Sequence, residues 1–208
     1  MIINILISVL TLVATPPPAS IHSKEDLLAA KQELITAYEN DDYDAFVEAF
    51  PSSFVDFARL FGCFPNIDYN LANQKEDYCK YFVFGGEKSD PKLLDKLVSI
   101  SKGFLFVLGG APGVLKTFVR EMLDLYPQEC ATYFENKDDE EIISFFRMTF
   151  QSEIPCLEDQ EILEIQQNLS KYSDKLGPIM EKAYIQALID SADIELEIAD
   201  NPYKISWW

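Results

Sequence analysis

The chain has 208 residues, 48 % of them apolar and 25 % charged, which is enough for a packed domain and argues against disorder. Its 17 lysines and arginines face 35 aspartates and glutamates, a formal net charge of -18. A field of that sign repels phosphate backbones and anionic lipid, so it excludes nucleic-acid binding and attachment to acidic membranes, and it attracts a basic protein.

Residues 1–14 are uncharged and mostly apolar, and Thr15, Pro16, Pro17 and Pro18 end the run. The run is shorter than the ~20 apolar residues that cross a bilayer and matches the hydrophobic region of a signal peptide. The expectation is an exported chain, periplasmic or extracellular: a leader over 1–22, one helical domain over 23–208, and no integral membrane segment in the mature part. No lysine or arginine precedes the run, a departure from the usual export signal. The triple proline argues against a buried first strand or helix.

From Ser23 the pattern is helical throughout. Ser23 with Asp26 forms an acidic capping box, and Leu27, Leu34 and Tyr38 recur at helical spacing. Tyr43, Phe46, Val47 and Phe50 make a second helix. Pro51 stops it, and Ser52 or Ser53 caps a third bearing Phe54, Phe57, Leu60 and Phe61, closed by Gly62. A helix within 71–84 precedes Gly85 and Gly86. Asp90 and Pro91 open another that runs to Gly103. The segment Phe104 to Gly113 has no strand to pair with and reads as buried loop or helix. Helices follow from Val114 to Tyr126, from Pro127, from Asp138, around Leu157–Tyr172 and over Pro178–Ile198. The predicted class is all-α, an irregular multi-helix bundle or stack of about eight to nine short helices, with no internal repeat.

The chain has one histidine, His22, at the end of the leader. Ser-His-Asp and Cys-His catalysis, imidazole acid–base chemistry and histidine metal sites are therefore not expected in the mature domain. Gly109 to Thr117 resembles a phosphate loop only loosely, because Val114 and Leu115 stand where glycine should precede Lys116 and Thr117. Asp41, Asp42 and Asp44 lack the glycine and later glutamate of a calcium loop. Asn168-Leu169-Ser170 fits a glycosylation acceptor. No catalytic residue, cofactor or metal is assigned, although a carboxylate pair of the glycosidase kind depends on spacing that only the fold supplies. Cys63, Cys79, Cys130 and Cys156 allow two disulfides in three pairings, or buried thiols.

Tyrosines beside acids are the pattern best suited to gripping a basic protein, with aromatic anchors inside a charged rim. The candidate contacts are Tyr38, Glu39, Asp41, Asp42, Tyr43, Asp44, Asp68, Tyr69, Asp77 and Tyr78. Trp207 and Trp208 call for apolar cover, on the body or at an interface.

The run from Phe50 to Gly62, then Lys92 to Gly103, then Lys137 to Phe146 resembles small secreted helical proteins of Bacteroidetes-type bacteria, some of them similar to immunity proteins that neutralise toxins delivered between cells by type VI secretion-like systems. That resemblance implies a periplasmic immunity or inhibitor protein binding a basic toxin. The alternatives are a helical scaffold or accessory subunit of an envelope complex, and a carboxylate-dependent hydrolase.

Overall fold

The computed structural model describes residues 23–62, 70–86, 90–104, 110–151 and 159–200, with side chains to 192. The leader, Cys63, Asp68, Tyr69, Cys156 and residues 201–208 lie outside the described residues.

The described chain is all-α. Ten α-helices follow one another: α1 (Lys24–Glu39), α2 (Tyr43–Ala49), α3 (Phe54–Leu60), α4 (Lys75–Phe84), α5 (Pro91–Lys102), α6 (Gly110–Leu125), α7 (Pro127–Glu135), α8 (Asp139–Phe150), α9 (Gln160–Ser170) and α10 (Leu176–Asp200). A single 3-10 turn, Ala72–Gln74, leads into α4, and no strand occurs among the described residues. Ten helices stand against the eight to nine expected, each in a segment that the sequence marks as helical, with Pro127 separating α7 from α6 as predicted.

Local chemistry explains most starts. Ser23 accepts the Asp26 N–H at 3.0 Å while Asp26 accepts the Ser23 N–H at 3.1 Å, a complete capping box. Asp42, Ser53, Asp90, Asp138 and Asp159 cap α2, α3, α5, α8 and α9 through their side chains. Helix α6 begins at Gly110, four residues before the expected Val114. Gly110 takes φ +66, and Pro112 falls in the first turn, where its missing N–H has no partner to lose. Residues 105–109 lie outside the described residues.

The core is unusually aromatic. In the first half, the Phe50 and Phe82 rings stack at 3.7 Å and 5°, with Phe46, Phe57 and Phe61 around them. In the second, Phe134, Phe145, Phe146 and Phe150 interlock, and Tyr184 of α10 closes on Phe150. Phe84 meets Phe118 edge-on, which ties α4 to α6, and α8 packs against both α5 and α10. No described helix is long and apolar enough to cross a membrane.

Several cations brace helix ends from inside. Arg120 donates to the Thr149 and Gln151 carbonyls at 2.8 and 3.2 Å, and Lys116 donates to Gln151 O at 3.3 Å. Both sit at the C-terminus of α8, where the dipole favours positive charge. Lys116 also lies over the Phe104 ring at 5.8 Å, so the lysine of the phosphate-loop-like run is an internal strut. Cys79 and Cys130 are buried and not bridged to one another, and burial pushes the Cys130 thiol up to about 12.

Candidate functional site

The acidic, tyrosine-bearing run at the end of α1 folds into a tight corner. The Asp42 N–H bonds to the Ala37 carbonyl at 3.0 Å and the Asp41 N–H to Tyr38 O at 3.1 Å, with Asp41 at φ +52. This is a Schellman closure with aspartate where glycine is usual, a conformation that aspartate tolerates better than most residues. The corner aims the Asp41 carboxylate at Tyr81, whose hydroxyl donates to it at 2.9 Å. Burial, reinforced by that bond, pushes the Tyr81 hydroxyl up to about 12, so it stays a donor. Asp42 caps α2 by accepting the Ala45 N–H at 3.0 Å.

The tyrosines are struts of this corner. The Tyr43 hydroxyl donates to the Phe82 carbonyl at 2.9 Å. That carbonyl belongs to the last turn of α4, where no intrahelical donor is available. Burial, then the charge of Asp90, holds the Tyr43 hydroxyl well above the ordinary phenol range. The Tyr43 ring lies against Gly85 and Gly86, where any Cβ would collide with it. Tyr38 packs among Phe46, Tyr78 and Tyr81 at 6.0, 4.6 and 5.1 Å. Tyr78 is only 5 % exposed and belongs to the core. The acids of the candidate set stay outside: Glu39, Asp41, Asp42, Asp44 and Asp77 are exposed. Asp44 pairs with Lys92 at 3.2 Å, a solvent-exposed pair that contributes little to stability.

Beside the corner, α1 and α2 diverge to leave an open groove of roughly 620 Å³. Small residues make the room: Thr36 and Ala37 on α1, Ala45 and Ala49 on α2. Glu33, Asp42 and Glu48 line it with three carboxylates, and Gln32 and Asn40 add amides. Neither lysine nor arginine is among the lining residues, and among the described residues no ion pair neutralises those three acids. Lys96 reaches this region from α5, yet its ammonium donates to the carbonyls of Glu48 and Phe50 at 2.6 and 2.5 Å. Burial lowers its pKa, against the pull of Glu48.

Of the candidate residues, Asp42 alone lines the groove; Glu33 and Glu48 are added by the fold. The signal for them in the sequence is negative: alanines at 37, 45 and 49 where a packed helix pair would place larger side chains.

Other chemistry is structural. Asp95 accepts from Tyr133 at 2.6 Å and Lys137 at 2.7 Å. Burial alone would raise the Asp95 carboxyl, but these two donors hold it below its ordinary value. Asn168 lies within α9 with its amide nitrogen donating to Asp124 at 3.1 Å, an engaged position rather than an open glycosylation loop. Among the described residues, no group of three or more His, Cys, Asp or Glu is placed to hold a metal ion. In comparison with known proteins, no family model, no curated protein and no solved structure matches the chain.

Proposed function

We propose that the protein works by binding a basic protein segment in the α1–α2 groove, as a non-catalytic immunity or inhibitor protein of the exported kind, occluding a cognate toxin domain. One observation carries this reading: three carboxylates, none of them in a direct ion pair among the described residues, line a groove whose walls are alanine and threonine, with Lys96 near Glu48 but bonded to backbone carbonyls. Small walls let a helix or extended segment approach closely. The clustered acids raise the local concentration of a positively charged partner and speed its encounter. The net charge of -18 extends the same attraction over the whole molecule. The tyrosines supply rigidity, because Tyr43 and Tyr81 tie the groove's corner to α4 through hydrogen bonds at 2.9 Å each.

The test is capture from a lysate of the producing organism with the chain from Ser23 onward, washed at low and then high salt. A basic partner released by salt supports the inhibitor reading. Envelope proteins that survive the salt wash favour a scaffold role, and no partner at any salt removes the binding proposal.

A further inference from the structure

A second groove, separate from the acidic one, runs between α9 and α10. The two helices are antiparallel neighbours: a Cβ at Gly177 would come within 3.2 Å of the Ser170 Oγ, and at the other end the Asp159 N–H donates to the Tyr184 hydroxyl at 3.3 Å. The groove holds roughly 450 Å³, with Leu163 and Gln166 on its α9 wall and Glu181, Ile185 and Leu188 on its α10 wall. Its chemistry is graded along its length. Leu163, Ile185 and Leu188 make the end away from the turn apolar, and Ile185 is 52 % exposed. Glu181 stands nearer the turn as the one charged residue of the lining, and among the described residues no ion pair neutralises it. Between the two, the Gln166 Nε2 is buried without a hydrogen-bond partner. A buried donor left unmade is costly, so this one marks the place of an acceptor.

We infer that this groove takes an extended peptide segment of a partner protein, in which one small residue separates an aliphatic residue from a lysine or arginine. The aliphatic side chain lies against Ile185 and Leu188, a backbone carbonyl accepts from Gln166 Nε2, and the cation meets Glu181. Length agrees with this occupant. Glu181 and Leu188 are about 10 Å apart along α10 at the helical rise, and three extended residues cover about the same distance, with the first and third side chains on one face. The unmade donor selects an extended backbone over a helix, because helix carbonyls are taken by the helix's own N–H groups. It also sets aside a second copy of this chain, whose described surface is helical and which carries the same net charge of -18. An acyl chain with a carboxylate head would suit the apolar end but bring its charge towards Glu181 on a strongly acidic molecule, whereas a lysine or arginine is attracted there. The inference does not rest on the reading of the α1–α2 groove.

The experiment titrates the full chain, labelled with nitrogen-15, with the blocked peptide acetyl-Leu-Ala-Lys-amide and follows its amide resonances; acetyl-Leu-Ala-Glu-amide is the counterpart of opposite charge. The expected result is saturable shifts of the Gln166 side-chain amide and of backbone amides of α9 and α10, with several-fold weaker binding of the glutamate peptide. Gln166→Met keeps the length of the side chain and removes the donor. It should weaken the lysine peptide several-fold while moving the urea midpoint of the free chain upwards. Glu181→Gln, at an exposed position, should bring the two peptides towards equal affinity. No saturable shift overturns the inference, as do shifts that fall along α1 and α2 instead, which would leave the reading of that groove intact. Binding that Gln166→Met does not weaken overturns it too, and so does a urea midpoint lowered by that variant, since the donor would then already be engaged. Should Gln166→Met lose helix, the comparison of the two peptides on the Glu181→Gln chain decides.

Discussion

Gly86→Ala probes how the corner is held to α4. An ideal Cβ at Gly86 falls 2.0 Å from Tyr43 Cε1, 2.4 Å from Cδ1 and 2.6 Å from Cζ, far inside the ~3.5–4.0 Å optimum for carbon pairs. The ring has little room to yield, because its hydroxyl is bonded to Phe82 O at 2.9 Å and its edge meets Tyr81 at 5.8 Å. Overpacking of this kind costs about 1–3 kcal/mol. Gly86 does not have a positive φ, so alanine is unstrained there once the ring is gone. In a Tyr43→Ala background the same substitution should therefore stabilise by about 0.4–1 kcal/mol, through the reduced freedom of the unfolded chain. Urea unfolding of the four chains, followed by far-UV circular dichroism, gives the cycle. The sign of the Gly86→Ala effect should reverse between backgrounds. An equal cost in both would refute the claim that Tyr43 is the group occupying this space.

Three further outcomes follow from the same packing. Phe82→Ala removes one ring of the 3.7 Å stack with Phe50 and should cost about 3–5 kcal/mol in urea unfolding. Lys96→Met leaves the Glu48 and Phe50 carbonyls without their charged donor and should cost about 1–3 kcal/mol by the same measurement, less whatever is recovered by not burying the ammonium. At alkaline pH, Cys130 and the tyrosines Tyr43, Tyr81 and Tyr133 all have folded pKa values raised above the unfolded ones. The folded state then holds more protons than the unfolded one, so stability falls as pH rises. The fall begins near the unfolded thiol value of 9.0, by up to about 1.4 kcal/mol per pH unit for the buried Cys130, and steepens above the unfolded phenol value of 10.0 by less than that for each partly exposed tyrosine, whose interactions solvent screens. Lys96, whose pKa is lowered, works in the opposite sense below 10.5. Cys130→Ala should delay the onset, and stability unchanged from pH 9 to 11 would contradict the burial of the Cys130 thiol.

Helix positions were legible because caps and stops are local chemistry. Ser23, Asp90 with Pro91, Pro127 and Asp138 announce starts whatever lies elsewhere in the chain. The site was legible only in part, because its parts come from separate helices. Gly85 and Gly86 read simply as the end of a helix, yet they also make room for a ring some forty residues earlier. Tyr38, Tyr43 and Tyr78 stand beside acids in the chain, which suggests surface anchors, but helical turns carry Tyr78 inward and fix the Tyr43 hydroxyl on a carbonyl of α4. The groove had no positive signal at all. It exists because Ala37, Ala45 and Ala49 are small where the two helices face one another, and that facing is decided by the Schellman corner at Asp41.

Binding of a basic partner by the carboxylates of the α1–α2 groove is decided by association kinetics. The captured partner would be measured against the unaltered chain and against a Glu33→Gln, Asp42→Asn, Glu48→Gln triple variant, from low salt to a concentration where the Debye length falls to about 3 Å. Association should be markedly slower for the variant at low salt, and the two chains should converge at high salt. Equal rates for both chains at every salt concentration, with both folded, would contradict it.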